Sequence, residues 1–361
     1  MVFFVLALAA LCFWKIKYAK FQDGYMEKAQ TTDVKGIFAI IILFSHLRGY
    51  IALSPSFLDQ SYNLFLGYIG QLMVTLFFFY SGYGIMQSYR KKENYSKSFF
   101  KNRFLKTLVH FDIAVLCYLV VSLILGQIRP WQDYVFCWIG WTEVGNSNWF
   151  IFDVFALYAV TLLAFAISKR KEKMLAVWTS AFCVVLWVAL ALIRKDESWW
   201  YNTLLCYPFG MWFALWKDKM NGVLKKGVWQ HYGAIVCVFV VFAALYIVYI
   251  KMGSEIVYSI TACLFCLLIS LITTKVKVGN PVLTWLGNNS FSIYILQRLP
   301  MIVFANFGWN GNIYVFAVLA IVATMLLAWL FDWVYKKVDA LCFGRAKKEK
   351  PQEIAASNEN Q

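Results

Sequence analysis

The chain has 361 residues, 61% hydrophobic and only 15% charged, with mean hydropathy +0.61 and a formal charge of +15. Soluble domains are roughly 45–50% apolar and about 25% charged, which excludes water as the main solvent of this chain. Nucleic acid is not an expected partner either, because the cations fall in alternate connections between long apolar runs instead of forming one patch.

The opening apolar run, Val2 to Trp14, is short for a full crossing and is followed by Lys15, Lys17 and Lys20. A secretory signal carries its charge before the apolar core and a small-residue cleavage site after it. Residues 1–30 are therefore expected to form an uncleaved short helix and a basic linker. Ten fuller runs follow: Lys35–Leu53, Leu64–Ser88, Thr107–Gln127, Trp149–Ser168, Met174–Ile193, Tyr201–Trp216, Trp229–Ile250, Glu255–Thr274, Leu283–Phe304 and Ile313–Tyr335. Each approaches the ~20 residues that cross a hydrocarbon core of ~30 Å. The pattern predicts an all-α integral membrane protein, a polytopic bundle of about ten transmembrane helices across residues 31–337 plus the short N-terminal apolar helix. The polar tail, residues 338–361, has too little apolar surface to fold alone and is expected to be disordered.

Of the 34 Lys and Arg residues, only Arg48, Arg129, Arg194, Lys195, Lys251 and Arg298 fall outside one alternating set of connections. Cytoplasmic loops are enriched in Lys and Arg, so the basic loops and the C-terminal tail are expected in the cytoplasm of a multi-pass plasma-membrane protein. Ile128–Asn148 then faces outward, where Trp131, Trp138 and Trp141 suit a headgroup-level belt or a partly re-entrant cap. The nine cysteines lie mostly inside apolar runs, and Cys263-x-x-Cys266 has no second ligand pair, so packing is expected of them and no metal.

Few residues could carry chemistry. His46 lies inside an apolar run, where an unpaired polar group is costly and usually marks a site. Eleven residues at ~100° each return it to within about 20° of Lys35, and ~1.5 Å per residue puts it ~16 Å deeper, so that Lys35 guards the cytoplasmic mouth and His46 lies near the midplane. A neutral imidazole there can act as general base on a sugar hydroxyl; a hydrogen-bonded core histidine is the alternative. Ser81, followed by Gly82 and Gly84, fits helix packing more commonly than substrate contact. Arg103 and Lys106, three apart, are predicted on one helix face, where they can pair with the phosphates of a soluble donor such as a coenzyme A thioester. His110 and His231 sit near run ends and are expected at the interface.

Taken in order, these residues resemble the acyltransferase-3 family. That family has a basic residue, ten intervening positions and a His, as Lys35 to His46 does. It follows with an aromatic Ser-Gly block like Phe78-Phe79-Tyr80-Ser81-Gly82-Tyr83, a basic pair spaced as Arg103 and Lys106 are, and a Trp-Phe-opened helix such as Trp149-Phe150. A late Ser-x-Tyr-x-x-His pattern is nearly met by Ser292-Ile-Tyr294-Ile-Leu-Gln297. The resemblance covers Thr31 to Lys337. Lys35 and Lys106 stand where Arg is commoner, which keeps the charge and loses the bidentate fork, and Gln297 stands where His is frequent.

The resemblance implies an acyl-CoA, usually acetyl-CoA, as a cosubstrate from the cytoplasm without a permanently bound cofactor. It implies transfer to a hydroxyl of a cell-surface or lipid-linked polysaccharide. The expected partners are this carbohydrate acceptor, the lipid bilayer and other membrane proteins of polysaccharide synthesis. His46 and Asp153 are the catalytic candidates, Asp153 orienting His46, binding a hydroxyl or serving a structural ion pair, with Arg298 as a possible partner. Lys35, Ser81, Arg103, Lys106, Trp149, Gln297 and Arg298 are the substrate-binding candidates. A transporter or flippase for a glycan or small acid is the alternative, since polar residues within spans also mark transport pathways, although the chain shows no internal repeat.

Overall fold

The computed structural model describes residues 2–344; of the tail expected to be disordered, residues 338–342 instead continue the last helix, and the part from position 345 onward lies outside the described residues. The chain is helical almost throughout. Helix α1 (Val2–Phe13) and strand β1 (Lys17–Tyr18) lead into α2 (Lys28–Leu47), α3 (Phe57–Ile69) and α4 (Leu72–Lys91). A short α5 (Tyr95–Phe99) passes through a π-helical turn, Phe100–Leu105, into α6 (Lys106–Ile124), and α7 (Trp131–Phe136) occupies the next connection. Then come α8 (Trp149–Ile167), α9 (Glu172–Ile193), α10 (Cys206–Leu224), α11 (Val228–Met252) and α12 (Glu255–Thr273). Strand β2 (Val276–Lys277) pairs antiparallel with β1, and the chain continues through α13 (Pro281–Asn288), α14 (Ser290–Leu296), α15 (Arg298–Asn306) and α16 (Ile313–Cys342).

Seven stretches among the described residues are long and apolar enough to cross a membrane: α3 with α4, α5 with α6, α8, α9, α11, α12 and α16. The other three predicted runs differ for identifiable reasons. Helix α2 begins at Lys28, earlier than predicted, and so carries Lys28, Asp33 and Lys35 within it. Helix α10 extends past Trp216 through Lys217, Asp218 and Lys219. The run predicted as one helix over Leu283–Phe304 is divided into α13, α14 and α15 at Asn289 and Gln297. Asn289 Nδ2 donates to the Trp285 carbonyl and the Ser290 hydroxyl to that of Gly287, side-chain bonds that compete with the helical ladder, while Pro300 has no N–H for the carbonyl of Leu296.

Phe57–Lys91 spans 35 residues, which at ~1.5 Å each is far longer than a ~30 Å hydrocarbon core. The surplus is α3, which lies against the far end of α2: Tyr62 donates to the Phe44 carbonyl at 3.3 Å and Arg48 to that of Asn63 at 2.8 Å. Two helix pairs meet through glycine. A Cβ at Gly82 or Gly210 would run into the backbone carbonyl of Tyr207 or Phe79, fixing α4 on α10, and Gly36 and Gly287 do the same for α2 and α13.

The connection after α6 is a folded cap at the end of the bundle opposite the basic loops. Asn148 Nδ2 donates to the Gly140 carbonyl at 2.7 Å, and the Arg194 guanidinium lies 4.1 and 4.2 Å from the rings of Trp141 and Trp200. Trp141 is thus part of the cap's packing, while Trp131 is exposed.

Candidate functional site

A cavity of about 1180 Å³ opens among the basic loops and runs into the bundle. Its walls follow from helical periodicity. On α2 it is lined by Lys28, Thr31, Lys35, Ala39 and Ile42, each three or four residues from the last, and on α4 by Val74, Phe77, Ser81, Gly84, Ser88 and Lys91 in the same rhythm. Helix α8 adds Phe150, Val154 and Tyr158, and α14 adds Phe291 and Tyr294. The mouth is mixed in charge, with Asp23, Glu27, Glu172 and Asp218 beside Lys28, Arg90, Lys91 and Lys217; the inner end is apolar and aromatic.

The structure brings Lys35, Ser81 and Arg103 together on this cavity. Among the described residues no carboxylate forms a salt bridge with Lys35 or Arg103, although other cations do find partners: Arg90 pairs with Glu172 at 3.1 Å and Lys225 with Asp23 at 2.6 Å. Two such cations lining one cavity make an anion-binding wall.

Lys106 does not join them. Its Nζ lies 2.5 Å from Asp339 Oδ2 on α16, and His110 Nε2 lies 2.9 Å from the other oxygen of the same carboxylate. The reason is the π-helical turn over Phe100–Leu105: its wider i→i+5 pitch turns the chain less per residue, so three positions no longer return to one face. His110 also stacks on Tyr335 at 4.0 Å, and buried His231 bonds Thr274 Oγ1 at 2.6 Å, so both have structural partners.

His46 continues the α2 stripe one turn beyond Ile42, on the face shared with Lys35, but does not border the cavity. It stands in the last turn of α2, near the helix end rather than midway along, because α2 starts at Lys28 and stops at Leu47. Between it and the cavity lies the ring of Tyr294, 6.3 Å from the imidazole centre to centre.

Asp153 is fully buried on α8, a position away from the cavity stripe, and neither carboxylate oxygen has a hydrogen-bond partner among the described residues. The expected pair with Arg298 does not form. Arg298 instead donates to the Tyr50 hydroxyl and the Asn146 carbonyl, both at 3.1 Å, and lies 3.5 Å from Glu143, because it opens α15 beside the cap. Gln297 is also fully buried; Nε2 donates to the Tyr294 carbonyl at 3.1 Å and Oε1 is unpartnered. Trp149 packs on Phe150, and it is Phe150 that reaches the cavity. The three- and four-residue stripes could have revealed Phe150, Tyr158 and Tyr294 from sequence, had the cavity face been known.

The family model described as an acyltransferase domain matches residues 33–333. No curated protein and no solved structure matches the chain significantly. The family match takes in Lys35, His46, Ser81, Arg103 and Tyr294 and covers most of the chain. A helical bundle with membrane-length apolar helices and a cation-lined cavity is consistent with that match, and the chain belongs to the acyltransferase-3 family, as a membrane acyltransferase.

Proposed function

We propose that the protein is an O-acyltransferase, foremost an O-acetyltransferase, that moves an acyl group from a cytoplasmic acyl-CoA to a hydroxyl of a cell-surface or lipid-linked polysaccharide. The observation that carries this reading is the pair of cations without carboxylate partners, Lys35 and Arg103, on a cavity that ends one ring short of His46. The excess of Lys and Arg in the loops on the side where the cavity opens favours the cytoplasm for that end. Phosphates of the donor pair with Lys35 and Arg103, and the acyl end lies among Ile42, Val74 and Phe78, within reach of the Ser81 hydroxyl.

The acceptor approaches from the cap side, where Arg298 is held. His46 takes the proton of the acceptor hydroxyl as its oxygen bonds to the thioester carbon; the carbon–sulfur bond breaks, and the departing thiolate receives that proton. A covalent acyl-enzyme intermediate is the other route to the same products. Asp153 remains in the proposal through its two unpartnered oxygens, which call for a proton, a water or a hydroxyl.

The test is His46→Ala in purified protein supplied with acetyl-CoA and polysaccharide. Transfer is expected to fall about 10²- to 10⁴-fold while coenzyme A binding and the elution profile stay as in the wild type. Undiminished transfer would remove His46 from the scheme. In cells, surface polysaccharide made without the protein should lack an acyl mass by mass spectrometry.

A further inference from the structure

A cluster of aromatic rings lines the inner end of the cavity. Phe150 on α8 lies 4.9 Å from Phe78 on α4 and 4.9 Å from Tyr294 on α14, centre to centre. Tyr294 lines the cavity with one side and meets the His46 ring edge-on, at 74°, with the other. Its hydroxyl is 3.2 Å from Ser147 Oγ, in the stretch whose Asn146 and Glu143 hold Arg298. The ring that lines the cavity and meets His46 is therefore fastened to the same short stretch that holds Arg298. The helix bearing it, α14, is only seven residues long and is interrupted at both ends, at Asn289 and Gln297.

Resting on the transfer reading above, we infer that Tyr294 is a gate between donor and acceptor, latched by Ser147 and released when an acceptor seats against Arg298 and the 143–147 stretch. A thioester exposed to the His46 side without an acceptor meets water, a competing nucleophile at far higher concentration than any sugar hydroxyl. The uncoupled step is hydrolysis: a water oxygen bonds to the acyl carbon, the carbon–sulfur bond breaks, the thiolate takes one water proton and the free acid leaves. A ring that opens only with the acceptor in place keeps that reaction slow, which is the role closing elements play in other transfer sites. Tyr294 is a positioning residue in this scheme, and its signature is the ratio of hydrolysis to transfer.

The experiment uses purified full-length protein with acetyl-CoA and no acceptor, following release of free thiol. Tyr294→Phe and Ser147→Ala remove the same hydrogen bond from its two ends. Each is expected to raise acceptor-independent hydrolysis about two- to tenfold, the population shift that one neutral hydrogen bond controls. The double variant should rise no further than the larger single one, because both remove one interaction. Tyr294→Ala removes the ring as well and should leak more; if it does not fold, the two conservative variants carry the test. Hydrolysis at the wild-type level in both conservative variants overturns the gate, as does a fall of hydrolysis and transfer together, which a purely structural role would give. A wild-type protein that binds acetyl-CoA and transfers nothing to any polysaccharide would take down the transfer reading and the gate with it, whereas intact transfer with an unchanged leak removes the gate alone.

Discussion

Helices α2 and α11 show opposite relations between hydropathy and function. Helix α11 is a clear membrane span, apolar through most of its length; only His231 is buried, and Val236, Phe239, Val240 and Ile247 face outward. It contributes nothing to the cavity lining. Helix α2 falls short as a span because it carries Lys28, Asp33 and Lys35, yet it buries residues along most of its length and forms one cavity wall. Polar groups are tolerated in such a bundle only where protein surrounds them, so a helix that carries charge into the site, as α2 does, falls short of the hydropathy of a span, whereas α4 and α8 line the same cavity and still qualify as spans. Asp33 illustrates the compensation: buried on α2, it accepts from Thr284 Oγ1 on α13 at 2.6 Å.

The sharpest way to break the comparison is to add side chains to glycines of the two kinds of helix. Gly82→Leu on α4 or Gly210→Leu on α10 places atoms where a backbone carbonyl already lies, and no rotamer relieves that. The cost should exceed the ~1–3 kcal/mol typical of overpacking and leave little monodisperse protein in detergent. Gly233→Leu on α11, with nothing within 4 Å of its Cβ, should elute as the wild type does. Comparable yields for all three would refute the close α4–α10 contact.

The next largest effect separates two cations three residues apart. Arg103→Ala should raise the apparent KM for acetyl-CoA about ten- to hundredfold, the worth of a charge-assisted hydrogen bond. Lys106→Ala removes a partly exposed pair with Asp339 and should change that KM less than about threefold. Steady-state kinetics at fixed ionic strength decides, and equal losses would mean that both residues reach the donor.

The smallest effect belongs to α11. His231→Ala removes the bond to Thr274 and should lower stability by about 1 kcal/mol, seen as a small drop in thermal midpoint with KM unchanged. A rise in KM would link α11 to the cavity and erase the contrast with α2.

By itself the sequence determined the solvent of this chain, since a composition that is 61% hydrophobic in long runs belongs in a bilayer, and it determined which ends of the runs are basic. The common face of Lys35 and His46 was legible as well, because an α-helix repeats at a constant angle. Local irregularity was harder: the π-helical turn before Lys106 and the interruptions around α14 depend on side chains bonding their own backbone and on neighbouring helices. The meeting of residues far apart in the chain was beyond periodicity altogether. Lys106 with Asp339, Arg298 with Glu143 rather than Asp153, and Tyr294 between the cavity and His46 were decided only when whole helices packed against one another, because periodicity sets directions within one helix and says nothing of which helix lies opposite.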